Sequence, residues 1–213
     1  MTPCLSRGAL AGLALLALPL MAAAQTANCE TALLNAAYSP GTSPDEARLK
    51  CDLDRAANIR EKAAKIYGVR LSSAIEIIDT ASPSGAAYVY DILTDGPKLT
   101  LDARSVPEGK GPRCRLQTPL PDDKANELTI LLTKAGDPSV PGYGPREDVK
   151  INPDGSRSVR LVIDSHDIIT RAETPAGFRS FSRHSGSDDP VSRLNNLVIG
   201  IANVSPGWVC NAS

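Results

Sequence analysis

DVKINPDGSRSVRLVI, residues 148–163, sets the fold class. Two runs of β-favouring residues, VKI and SRSVRLVI, flank Asn152-Pro153-Asp154-Gly155. Proline presets the backbone angle of a turn, and glycine adopts the positive φ that closes one. The stretch therefore predicts a hairpin, and a hairpin makes its two strands antiparallel.

Downstream, residues 157–172 read as one strand would run roughly 50 Å at ~3.3 Å per residue, too long for a small domain. A break is expected at Asp164-Ser165-His166-Asp167, where the turn-prone residues sit. Glu173-Thr174-Pro175-Ala176-Gly177 then predicts a turn before FRSFSRH. Upstream, further strands are expected at Leu71–Asp79, Ala86–Leu93, Lys98–Ser105, Arg113–Thr118 and Glu127–Thr133, with Asp95-Gly96 as a turn. Proline- and glycine-rich stretches at 106–112 and 136–146 read as surface excursions within one domain.

Helices flank this β-rich middle. Residues 28–38 carry Cys29, Leu33 and Ala36 on one stripe. Ser43-Pro44-Asp45-Glu46 combines an N-cap, a proline at the first helical position and a glutamate at the third. Leu49, Leu53, Ala56, Ile59, Ala63 and Ile66 follow at spacings of three and four, up to Gly68. Together these predict an N-terminal helical hairpin. Asp189-Pro190 starts a C-terminal helix carrying Val191, Leu194, Leu197, Val198 and Ile201, although LVIGI also suits a strand. Helices first and strands after predict an α+β fold with a mainly antiparallel sheet.

Residues 1–24 read as a secretory signal peptide, with Arg7, an apolar run over Ala9–Leu20 and small residues before Gln25. Residues 25–213 are then expected to form a single disulfide-stapled domain, exported to the periplasm or secreted, with no membrane span. Its net charge is about −2, so nothing draws it toward nucleic acid. Cys29, Cys51, Cys114 and Cys210 remain, and four cysteines admit three pairings. The expected one is Cys29–Cys51, between neighbouring helices, with Cys114–Cys210 clipping the tail to the middle of the chain.

Candidate chemistry is sparse. Asp164-Ser165-His166, a D-x-H at a strand end, resembles the first metal-binding motif of calcineurin-like phosphoesterases and the opening strand of amidohydrolases. Both resemblances imply further metal ligands downstream. Only 47 residues follow His166, and they contain a single histidine, His184, so neither family is assigned. A smaller site is conceivable if a neighbouring strand brings His184 back to Asp164 and His166, with Asp188 or Asp189 beside them. The chain has no G-x-S-x-G elbow, S-x-x-K, P-loop, dinucleotide glycine motif or EF-hand loop.

Lysine disappears after Lys150, and arginine takes over. Arg179 and Arg183 share one face of their strand, and Arg171 joins it if the register allows. Planar guanidinium forks match carboxylates or phosphates, so this face is the expected anion- or protein-binding surface. Few aromatics are available for sugar or single-stranded nucleic-acid binding, and Tyr88 and Tyr90 are expected to pack on the core. The leading expectation is an exported, non-enzymatic binding or inhibitor-type protein without cofactor or metal, whose partner is a protein or an anionic ligand. One alternative is a small hydrolase, metal-assisted or acid–base, using His166 with Asp164 and His184. Another is a structural component of the cell envelope.

Overall fold

A computed structural model describes residues 43–68, 73–80, 87–96, 98–144, 147–161 and 166–211. Residues 1–24, Cys29 and the helix expected at 28–38 lie outside them, so the helical hairpin is represented only by its second member.

That member is helix α1, Pro44–Tyr67. Asp45 and Glu46 sit in its first turn and Lys65 in its last, complementing the helix dipole at both ends. Gly68, at φ +85°, ends it as the sequence predicts. Four strands follow: β1 (Ile75–Thr80), β2 (Ala87–Asp95), β3 (Lys98–Val106) and β4 (Arg113–Pro119). Then come helix α2 (Asp122–Ala135), β5 (Glu147–Ile151) and β6 (Arg157–Leu161). The chain closes with β7 (Asp167–Thr174), β8 (Gly177–His184), helix α3 (Pro190–Val204) and β9 (Val209–Asn211). The fold is mixed α+β.

Helix α2 corrects the strand expected at Glu127–Thr133. Thr129, Ile130 and Thr133 favour strands as residue types, but the local context overrides them. Asp122 and Asp123 follow Pro121 and load the first turn with acid. Leu128, Leu131 and Ala135 then fall at spacings of three and four and are buried, whereas Ile130 stays 56% exposed. The Thr129 and Thr133 hydroxyls donate to the carbonyls of Ala125 and Thr129, satisfying themselves within the helix.

The seven-stranded sheet is antiparallel throughout, in the order β8-β7-β1-β2-β3-β4-β9. The opening stretch forms a separate two-stranded hairpin, β5–β6, with Asn152–Ser156 in its turn. Beyond it, β6 ends at Leu161 and β7 begins at Asp167; Asp164 and Ser165, where the break was expected to start, lie outside the described residues.

Both faces of the sheet are covered. Helices α2 and α3 pack Leu128, Leu131, Leu194 and Val198 against Ile75, Ile77, Tyr90, Ile92 and Leu101. On the other face α1 sets Ala56 and Ala63 against Ile78, Val89, Val106 and Ile169. Ile77 and Ile78 are therefore both buried although they point opposite ways. Fully burying such side chains contributes roughly 1.5–3 kcal/mol each.

The last helix decides where the chain ends. β8 is one edge of the sheet and β9 the other. The 15 residues of α3 span ~22 Å, and six strand spacings of ~4.8 Å separate those edges. Helix and tail together carry the chain across the sheet. Trp208 anchors the tail by donating from Nε1 to Ala202 O at 3.0 Å and meeting Tyr88 edge-on. Cys210 then pairs directly with Cys114 in the β4–β9 ladder, and the two form a disulfide. Cys51 is also disulfide-bonded; its expected partner Cys29 lies outside the described residues.

Candidate functional site

The arginines of β7 and β8 do not form one surface. Arg171 stands opposite Ser180, whereas Arg179 stands opposite Ala172 and Arg183 opposite Ile168. Register thus places Arg171 on the α1 face and the other two on the α2–α3 face. Arg171 lies over the Phe178 ring and 3.9 Å from Glu76. Arg179 donates to the carbonyls of Ala135, Asp137 and Val140 at 2.6–3.0 Å. Arg183 is 1% exposed; it donates to Asp189 and to the carbonyls of Pro141, Gly142 and Ser182. Both guanidinium groups stack against Phe181. The loop 136–144 is thus moulded around two arginine forks. A Cβ at Gly144 would lie 2.5 Å from Arg183 Cδ, so only glycine passes there.

The histidines are separated in the same way. His166 Nδ1 meets Asp79 Oδ1, on the α2–α3 side of β1. His184 pairs in register with Asp167 on the α1 side, and its Nδ1 accepts from the Gly186 N–H at 3.2 Å, with Ser187 Oγ equally near. Asp188 pairs with Arg193. Asp189 pairs with Arg183 and caps α3, accepting from the Val191 and Ser192 N–H groups. Register therefore puts the two imidazoles on opposite faces of the sheet, while Asp188 and Asp189 are engaged by arginines; Asp164 lies outside the described residues. Burial pushes the Asp79 carboxyl above its ordinary value, against the pull of His166.

A row of acids crosses the middle of the α1 face. Glu76 is directly opposite Asp91, and Asp91 directly opposite Asp102. Like charges so placed repel, and each is answered by an arginine. Arg60 donates to Glu76 from Nε, 2.7 and 2.9 Å from the two carboxylate oxygens, and from Nη2, and Arg104 meets Asp91. Arg115 places Nε and Nη2 each 3.0 Å from Asp102. Burial pushes the Asp91 carboxyl up, opposed by Arg104 and reinforced by Glu76 and Asp102. Among the described residues no group of three or more His, Cys, Asp or Glu is placed to hold a metal ion.

That row ends at a groove of about 410 Å³, a volume typical of small-ligand sites. Tyr67, Arg113, Arg115, Gln117, Gly207, Val209 and Asn211 line it. Local structure explains the set. Arg113, Arg115 and Gln117 alternate along β4 and share the face opposite Cys114 and Leu116. Ladder pairing puts Asn211 across from Arg113 and Val209 across from Arg115. Tyr67, at the end of α1, donates its hydroxyl to the Ser105 and Cys114 carbonyls at 2.8 and 3.1 Å. Arg115 is oriented by buried Asp102, while exposed Arg113 makes no hydrogen bond or ion pair among the described residues. Sequence reading missed this site, although the alternation R-x-R-x-Q was its signal.

Comparison with protein-family models, with curated proteins and with solved structures returned no match.

Proposed function

We propose that this is an exported binding protein without catalytic function, and that the β4–β9 groove is its recognition surface. One observation carries the reading. Arg113 holds a full charge at the mouth of a groove whose other cation, Arg115, is already fixed and partly neutralised by Asp102. A charge with no partner among the described residues, beside a concave wall of mixed polar and apolar groups, is what ligand recognition needs. Export is supported by the signal-like residues 1–24 and by the Cys114–Cys210 disulfide, which suits an oxidising compartment. Among the described residues no helix is long and apolar enough to cross a membrane.

The test is site-directed photo-crosslinking in intact cells. A photoreactive residue replacing Asn211 should yield discrete adducts that Arg113→Ala weakens. The same residue at Ile130, exposed on the outer side of α2, should not yield them. Identical patterns from both positions, or no adduct from Asn211, would sink the reading.

A second reading has its own observation. Asp79 holding His166 at Nδ1 is the base half of a hydrolytic arrangement, so a small acid–base hydrolase centred on His166 is the alternative. It requires turnover of an ester, phosphate or glycoside substrate that His166→Ala abolishes and Arg113→Ala leaves intact. Equal turnover by wild type and His166→Ala would retire it.

A further inference from the structure

We infer that the groove takes the carboxylate end of an extended peptide; this rests on reading the groove as the recognition surface and names its ligand class. Three features of the lining argue for it.

The first is charge. Arg115 is matched by Asp102, which leaves the single charge of Arg113 without an ion-pair partner among the described residues. One net positive charge suits one carboxylate. The Nε–Nη2 edge of Arg115 is spent on Asp102, and that fork fixes the plane of the guanidinium group. Its Nη1 carries no bond among the described residues and is free to donate beside Arg113. A carboxylate can accept from both side chains at once.

The second is the pair of amides. Gln117 and Asn211 each present a carbonyl acceptor as well as an NH₂ donor. A bare phosphate offers almost only acceptor oxygens, so the two amide carbonyls would face lone pairs. A peptide unit offers one N–H and one C=O and satisfies both halves of such an amide. The Tyr67 ring and Val209, which is 66% exposed, add apolar wall for a side chain.

The third is the edge itself. β9 is the last strand of the sheet, and only three residues long. Its outer main-chain groups form a template to which an extended segment adds by strand pairing. A peptide lying along β9 runs beside Asn211, whose partner across the ladder is Arg113, so the Arg113 side chain meets its end by reaching over β9. At the opposite edge the outer side of Ser182 is already paired with the loop 136–144. There Gly144 N–H donates to Ser182 O, and Ser182 N–H donates to Gly142 O.

The experiment uses the mature, oxidised protein and follows backbone amide signals by NMR. Three probes are titrated: a pool of N-acetylated tripeptides randomised in sequence, the same pool with amidated C-termini, and inorganic phosphate. The free-carboxylate pool should give saturable shifts at Arg113, Arg115, Gln117 and Asn211. The amidated pool should bind at least about tenfold more weakly, as expected for losing a charge-assisted contact. Arg113→Ala should weaken the free-acid pool by a similar factor, with Arg113→Lys in between. Equal binding of both pools, phosphate binding better than either, or unchanged binding by Arg113→Ala would overturn the proposal. If the pools fail while crosslinks from position 211 persist, the ligand class is wrong and the groove still stands. If both fail, the groove falls with it.

Discussion

Each end of the sheet presents two arginines on one strand face, and the two ends do opposite things with them. On β8, Arg179 and Arg183 stand four residues apart with Phe181 between them on the same face; on β4, beside the other edge, Arg113 and Arg115 stand two apart, with Cys114 turned to the opposite face. At the β8 edge a nine-residue loop folds over the cations and its carbonyls consume them. At the β9 edge the covering strand is three residues long and held by a disulfide, and Arg113 keeps no hydrogen bond or ion pair among the described residues. Whether an arginine at the sheet's end is structural or available therefore follows from what the chain lays over it. A guanidinium group offers five donors and no acceptor, so only carbonyls or acids can satisfy it when buried.

The sharpest way to break this contrast is at Arg183. Arg183→Ala strips donors from the loop carbonyls and leaves Asp189 unpaired, so a loss of about 3 kcal/mol or more is expected in urea denaturation. A loss below about 0.5 kcal/mol would mean that the β8 edge is not sealed by this side chain.

Next comes the clip on the other edge. Cys114→Ser with Cys210→Ser opens a loop spanning a sequence separation of 96. The expected cost is about 2–4 kcal/mol, or a fall in Tm of roughly 4–16 °C for a chain of this size. Hydrogen exchange should report faster exchange at Val209–Asn211 than across β7–β8. Uniform acceleration throughout the sheet would show that the disulfide serves the whole fold rather than one edge.

The acid row gives a smaller, pH-dependent signal. The folded pKa of Asp91 is raised, so between its ordinary value and that raised value the native state binds more protons than the unfolded one. Stability from this group therefore grows as pH falls through that window. Asp91→Asn lacks the effect, so wild type should gain on the variant as pH drops from 7 toward 4. A difference that stays constant with pH would refute the burial argument. The smallest expected effect is at the open edge. Arg113→Ala should change stability by less than about 0.5 kcal/mol, because the side chain holds nothing in place.

Much of the fold was legible in local pattern. The turn residues at Asn152–Gly155 and Glu173–Gly177 and the Pro44 and Pro190 helix starts each act within a few residues of themselves, and all appear as expected. Helix α2 was not legible, because Thr129 and Ile130 favour strands, and the buried stripe of Leu128, Leu131 and Ala135 outweighs them only when a sheet is there to receive it. The site was legible in halves. The alternation of Arg113, Arg115 and Gln117 was readable, and so was the expected Cys114–Cys210 link. Their combination, which lays Asn211 across from Arg113, depends on strand register.

Helix α2 apart, the amino-acid order alone determined which of the described segments extend, turn or coil, and that Cys114 and Cys210 were partners worth expecting. Those are short-range matters of backbone preference and side-chain period. Only the tertiary structure decided that Arg171 parts company with Arg179 and Arg183, that the sheet comes between His166 and His184, and that Arg113 is left uncommitted. Each depends on which residue of a distant strand stands opposite, and a slip of one residue sends every side chain to the other face.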